Sequence, residues 1–145
     1  MSTDLVTDAE IASRMRLVVT RLGRRLRRQA GGDLTPSQTS ALSSVERLGP
    51  LTLGELSAVE DVRPPTLTKV VAALEEMGLV ARHTDPDDRR VSRVEVTADG
   101  TRLLARNRSR TDAYLARRLR SLPDDDRVTI ERAVELIEEL LETEE

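Results

Sequence analysis

Residues 52–78 read TLGELSAVEDVRPPTLTKVVAALEEMG, and the fold turns on how that stretch divides. Thr52 is a helix cap, and Glu55 three residues later completes a capping box. A short helix then reaches about Val59, with Leu53, Leu56 and Val59 directed inward. Glu60-Asp61-Val62 breaks it. Proline is tolerated in a first helical turn, where N–H groups have no intrahelical partner, so Arg63-Pro64-Pro65 opens a second helix. That helix runs to about Met77, with Leu67, Val70, Val71, Leu74 and Met77 on one face. Gly78 stops it.

Downstream, Leu79 to Thr84 reads as a short strand, and Val91 to Val96 alternates apolar and polar residues with period two. Pro86-Asp87-Asp88 between them carries turn chemistry. A short helix, a tight turn, a longer helix and a hairpin make a winged helix-turn-helix, whose second helix enters the DNA major groove.

Upstream, Thr35 caps a helix that has Pro36 at its first position and Gln38 to complete the box. Ala41, Leu42, Val45 and Leu48 form its buried face, and Gly49-Pro50 ends it. Before it, Ile11, Met15, Val18, Leu22 and Leu26 mark one face of a helix over Asp8 to Gln29, stopped by Gly31-Gly32. After the hairpin, a helix runs from Thr97-Ala98-Asp99-Gly100 to about Leu122, with Leu103, Leu104, Tyr114, Leu115, Leu119 and Leu122 as its apolar positions. Its polar middle, Arg106 to Asp112, is exposed or lines something. Pro123-Asp124-Asp125-Asp126 opens a last helix, with acids at its positive end. There Ile130, Ala133, Val134, Ile137, Leu140 and Leu141 recur at helical spacing. The expected fold is mainly α with a small β-hairpin wing, in the order α-α-α-α-β-β-α-α.

The chain has 145 residues, 38% of them apolar and 34% charged, which fits one globular domain. No apolar run approaches the roughly 18 residues that span a bilayer, and Met1-Ser2-Thr3-Asp4 lacks a secretory pattern. Cys is absent, so disulfides, thiolate metal sites and cysteine switches are excluded, and a cytoplasmic location fits. Tyr114 is the only aromatic residue. The core is therefore aliphatic, and modules that stack bases on aromatic rings are disfavoured.

The net charge of −3 conceals segregation. Ile11 to Ala30 holds seven Arg and no acid; Arg102 to Arg120 holds seven Arg and one Asp; Ser121 to Glu145 holds ten acids and two Arg. The last helix sets Glu131, Glu135, Glu138 and Glu139 beside its apolar stripe. Either some Arg of the first or fifth helix pair with it, or those Arg form a solvated face. On the second helix of the motif, Arg63, Thr66, Thr68 and Lys69 cluster in the first two turns. Cations at a helix N-terminus attract phosphates, and Arg and hydroxyl groups reach base edges. The alternative is a winged-helix protein-interaction module without DNA binding. No nucleophile–base pair, metal cluster or phosphate loop is present, so an enzyme is not expected. His83 has Asp85, Asp87 and Asp88 nearby, but a lone His on a wing is more often solvated than a metal ligand; no metal or cofactor is expected.

Leu51-Thr52-Leu53-Gly54-Glu55-Leu56-Ser57, Val62-Arg63-Pro64-Pro65-Thr66-Leu67-Thr68-Lys69, Leu74-Glu75-Glu76-Met77-Gly78-Leu79-Val80, Asp85-Pro86-Asp87-Asp88-Arg89-Arg90 and Val94-Glu95-Val96-Thr97-Ala98-Asp99-Gly100 together resemble the MarR family of bacterial transcription regulators. The resemblance implies a single chain, 1–145, with a DNA-binding lobe over 34–100 and a helical dimerisation region over 5–30 and 101–145. It implies a homodimer on a palindromic operator, usually a repressor. Many members bind small, often phenolic or anionic, effectors between the dimer and DNA-binding regions; the ligand residues vary too much to be carried over. Arg63, Pro64, Thr66, Thr68 and Lys69 then belong to the recognition helix, and the N-terminus of the helix holding Ser37 and Gln38 approaches the DNA backbone. The aspartate–x–arginine of the family's wing matches Asp88 and Arg90. On that wing Arg90 is expected in the minor groove and Arg89 on phosphate. Asp88 is expected to orient an arginine, while Asp85 and Asp87 shape the turn.

Overall fold

Threonines start four of the helices of this protein. The computed structural model describes residues 5–142; the reading of Met1–Asp4 and the last residues of the C-terminal region, 143–145, lie outside them. Thr7 opens α1 (Asp8–Ala30), Thr35 opens α2 (Pro36–Leu48), Thr52 opens α3 (Leu53–Glu60) and Thr97 opens α5 (Ala98–Arg120). Each hydroxyl accepts the N–H three residues on, satisfying one of a helix's orphan donors. The box at Thr35 is complete, since Gln38 Oε1 accepts the Thr35 N–H at 3.0 Å. A complete box at Thr7 and Glu10 escaped the sequence reading. At Thr52 only half of the expected box forms, Glu55 N–H to Thr52 Oγ1 at 3.1 Å. α4 (Pro64–Glu76) and α6 (Asp124–Glu142) complete the helices.

The sheet has one strand more than the hairpin read from sequence. β2 (Val80–Thr84) and β3 (Ser92–Val96) pair antiparallel, with Val80 opposite Val96 and Thr84 opposite Ser92. A two-residue β1, Leu51–Thr52, pairs with β3 through Leu51–Val94 and Thr52–Arg93, giving the order β1-β3-β2. Two residues are too few to show alternation, and Thr52 serves both β1 and the cap of α3.

The core is aliphatic and lies within the lobe. Leu42, Val45, Leu56, Leu67, Leu74, Val80, Val94 and Leu104 bring together α2, α3, α4, the sheet and α5. Replacing one such fully buried leucine with alanine costs about 2–5 kcal/mol. Leu48, Val59, Met77 and Leu119, expected on buried faces, are exposed. Each sits at or near the end of its helix, where the buried stripe has run past the lobe. α1 packs along α5, yet among the described residues neither α1 nor α6 has a buried one. Ile11, Val18 and Leu22 on α1, and Val128, Val134, Leu140 and Leu141 on α6, face outward. No described helix is long and apolar enough to cross a membrane.

One junction ties α4, the wing and α5 together. Thr97 Oγ1 donates to the Gly78 carbonyl at 2.6 Å and accepts the Gly100 N–H at 3.1 Å, and the Thr97 N–H donates to the Leu79 carbonyl at 3.0 Å. Gly78 has φ 75°, so the chain leaves α4 in a conformation that suits glycine. A Cβ on Gly100 would stand 2.3 Å from the Leu79 carbonyl oxygen and 2.8 Å from Val96 Cγ2. Gly100→Ala is therefore expected to destabilise the fold by about 1–3 kcal/mol through overpacking, read as a lower urea midpoint with an unchanged slope.

Candidate nucleic-acid interface

The turn between α3 and α4 is locked from both sides. Asp61 closes α3 in the left-handed region (φ 51°, ψ 47°), and the Ser57 hydroxyl donates to the Val62 carbonyl. The Glu60 carboxylate accepts from the hydroxyls of Ser40, at 2.6 Å, and Ser44, binding the turn to α2. These contacts, with the buried Leu67, Val71 and Leu74, set the direction of α4.

Arg63, Pro64, Thr66, Thr68 and Lys69 are all exposed, opposite the buried edge of α4. Among the described residues Arg63 and Lys69 make no ion pair. Arg63 is the N-cap and contributes no side-chain cap. With prolines at the first two positions, only Thr66 of the first three helical residues keeps an N–H. The helix end therefore presents its dipole field and side chains more than a nest of amide donors. The Thr68 hydroxyl donates to the Pro64 carbonyl at 2.9 Å, which commits its proton and leaves it an acceptor. Ser37 is exposed and lines a crevice with Thr66 at the α2–α4 seam. Gln38 is half-buried, with its oxygen turned to the cap.

The wing tip is an ordered loop. Asp85 Oδ1 accepts the N–H groups of Asp87 at 2.8 Å and Asp88 at 3.4 Å, and Asp85 Oδ2 lies 2.5 Å from Arg93 Nη1. Asp87 contributes its backbone N–H, while its side chain is exposed. The Asp88 carboxylate takes Arg90 in a fork, Nε to Oδ1 at 3.1 Å and Nη2 to Oδ2 at 3.2 Å, and also accepts the Arg90 N–H. The Arg90 side chain stays 90% exposed, so it is aimed without being covered. Arg89 is exposed beside it. The Asp87 N–H, then Arg93, hold the Asp85 carboxyl below its ordinary range; the Arg90 guanidinium, then the Arg90 N–H, do the same for Asp88. His83 Nε2 lies 3.0 Å from Glu95 Oε2, an acid other than those beside it in sequence.

Several contacts were not visible in the sequence. Arg82 joins Glu75 at 3.0 Å, tying β2 to the end of α4. Arg108 of α5 joins Glu46 of α2 at 2.7 Å. Beside that pair a cavity of about 280 Å³ opens between α1, α2 and α5, lined among others by Leu26, Leu34, Leu104 and Asn107. Asn107 is buried, and its Oδ1 has no hydrogen-bond partner, a state that costs roughly 1–3 kcal/mol if left unpaired.

A cationic helix edge held by a locked turn, with an ordered arginine on the adjoining wing, defines a winged helix-turn-helix DNA-binding regulator. Residues 34–92 match the model of the MarR family. An uncharacterised HTH-type transcriptional regulator of Mycobacterium leprae is 39% identical over 139 residues, covering 95% of this chain and 97% of that protein. A solved structure from Pseudomonas aeruginosa, assigned to transcriptional regulation, superposes with a TM-score of 0.85 at 35% identity, covering 94% of this chain and 97% of that one. A variant of Staphylococcus aureus MepR bound to an oligodeoxyribonucleotide shares the fold, with a TM-score of 0.71 at 17% identity over 90% of this chain and 97% of that one. The chain belongs to the MarR family of transcriptional regulators.

The acids at the tip carry a pH signature. Their folded-state pKa values lie below the unfolded ones, so the pairs contribute order above the ordinary Asp range and lose it as pH falls through the lowered values. Carboxyl carbon shifts should show Asp85 and Asp88 titrating below the ordinary Asp value of about 3.9. Either residue titrating at or above that value would contradict the paired loop.

Proposed function

We propose that the chain acts in the cytoplasm as a homodimeric repressor, reading a palindromic operator with α4 and the wing. The observation that carries this is the exposed, unpaired Arg63 and Lys69 edge of α4, beside an Arg90 that Asp88 holds in place. In this reading Arg63, Pro64, Thr66 and Thr68 meet base edges in the major groove, and Lys69 meets phosphate. Arg90 enters the flanking minor groove, Arg89 touches phosphate, and Asp88 preorganises Arg90 at the cost of a nearby anion. Ser37 reaches the backbone from the α2 terminus, with the remaining amide of Gln38 beside it.

The dimer is supported by the outward apolar residues of α1 and α6, which a partner copy would remove from water. Residues 5–30 and 101–145 are then the dimerisation region and 34–100 the DNA-binding lobe. A small-molecule effector is placed in the cavity where α1 and α5 meet α2, because its walls come from both regions. Occupancy would bias the angle between them and release DNA.

In a gel shift with the region upstream of its own gene, Lys69→Ala and Arg90→Ala should each weaken binding. Loss of the Lys69 phosphate contact should also lower the salt slope by about one. Asp88→Ala should weaken binding too, although removing an acid ought to strengthen it on charge alone; stronger binding would refute its orienting role. Sedimentation at micromolar concentration should give a dimer, and a monomer there would end the homodimer reading.

A further inference from the structure

We propose that the cavity between α1, α2 and α5 takes an uncharged small molecule bearing an amide or hydroxyl group, and that Asn107 selects it. The inference rests on the effector reading above and names the chemistry of that site. The cavity is about 280 Å³, at the lower edge of the roughly 300–1000 Å³ usual for small-molecule sites. Its apolar wall is aliphatic, from Leu26, Ala30, Leu34, Pro36 and Leu104.

The charges around it cancel. Arg27 and Asp112 stand at its exposed edge with opposite sign. The third charged lining residue, Arg108, is already bound to Glu46, whose side chain is only 21% exposed. An anion drawn to Arg108 would bring a second negative charge beside the largely covered Glu46 carboxylate that already neutralises this guanidinium, which is unfavourable. A neutral ligand meets no such repulsion.

What the lining lacks is a partner for Asn107. That residue is 8% exposed, and its carbonyl oxygen meets no donor. An amide side chain has two acceptor positions and two donors, and half a turn about its last bond exchanges them. A ligand carboxamide or hydroxyl can satisfy either end, while a purely apolar ligand leaves the group unpaired. The Thr111 hydroxyl donates to the Asn107 backbone carbonyl at 2.8 Å, so that neighbour is not free to donate to the side chain.

The test uses the full-length protein and two probes of nearly the same shape, benzamide and benzoate. Benzamide should bind saturably, shift the Asn107 side-chain amide resonances, and lose at least tenfold in affinity in Asn107→Leu. Benzoate should bind at least tenfold more weakly than benzamide. Asn107→Ser provides a smaller substitution if the leucine variant does not fold. Equal or tighter binding of benzoate, benzamide binding that ignores Asn107, or no binding of either compound overturns the proposal. A gel shift run with benzamide separates the two readings. If benzamide binds through Asn107 but leaves operator affinity unchanged, the ligand chemistry stands and the effector role fails.

Discussion

The junction at Thr97 and Gly100 is the constraint on which the remaining geometry hangs. Within a few ångströms it joins the end of α4, the start of β2, the end of β3 and the first turn of α5. The Thr97 hydroxyl both donates to Gly78 and caps α5, and Gly100 leaves room for the Leu79 carbonyl that the Thr97 N–H also uses. The Thr97 hydroxyl and N–H and the Gly78 and Leu79 carbonyls are all partnered, and at Gly100 there is no space for a side chain. α4, the wing and the helix that carries the lobe toward α1 are thus held against one another by packing rather than by flexible linkers.

On a chain of net charge −3, several acids near the cationic edge are occupied. Asp85 holds Arg93 and Asp88 holds Arg90, while Glu60 takes two serine hydroxyls. Glu75 at the far end of α4 is bound to Arg82. Such surface pairs add little to stability, typically 0–1 kcal/mol. Their effect is to fix where charge points, which governs the encounter with a polyanion. The Asp88–Arg90 fork shows the division clearly: the arginine keeps 90% of its surface open while its orientation is restrained.

Much of this was legible in the sequence because the signals are local. A capping threonine acts over three residues, and the proline pair declares the start of α4 on its own. Asp88 and Arg90 are two residues apart, so their pairing could be read directly. What could not be read depends on distance along the chain. β1 is too short to have a period and exists only because β3, some forty residues later, offers it an edge. Glu60 looked like part of a helix break, yet it reaches back to Ser40 and Ser44. Leu48, Val59 and Met77 have the spacing of buried residues but lie where the lobe ends. Asn107 fell in a polar stretch read as exposed or lining something; only the approach of α1 and α2 decides between the two.

The distribution of burial bears on how the halves of the molecule communicate. The apolar core belongs to the lobe, while α1 and α6 bury nothing among the described residues. The lobe can therefore hold its internal geometry whether or not the outer helices shift, because its packing does not use them. In the proposed dimer the spacing of the two α4 helices would depend on them, since half-sites lie about 34–36 Å apart. Besides the Thr97–Gly100 junction and the packing of α1 along α5, the contacts around the cavity are the Arg108–Glu46 pair, the Arg110 contact with the Ala30 carbonyl at 3.1 Å, and the packing of Leu104. They flank Asn107, whose buried amide oxygen lacks a partner. In the proposed regulator, a ligand meeting that unsatisfied polarity would change operator affinity by as much as it favours one arrangement of α1, α2 and α5 over another.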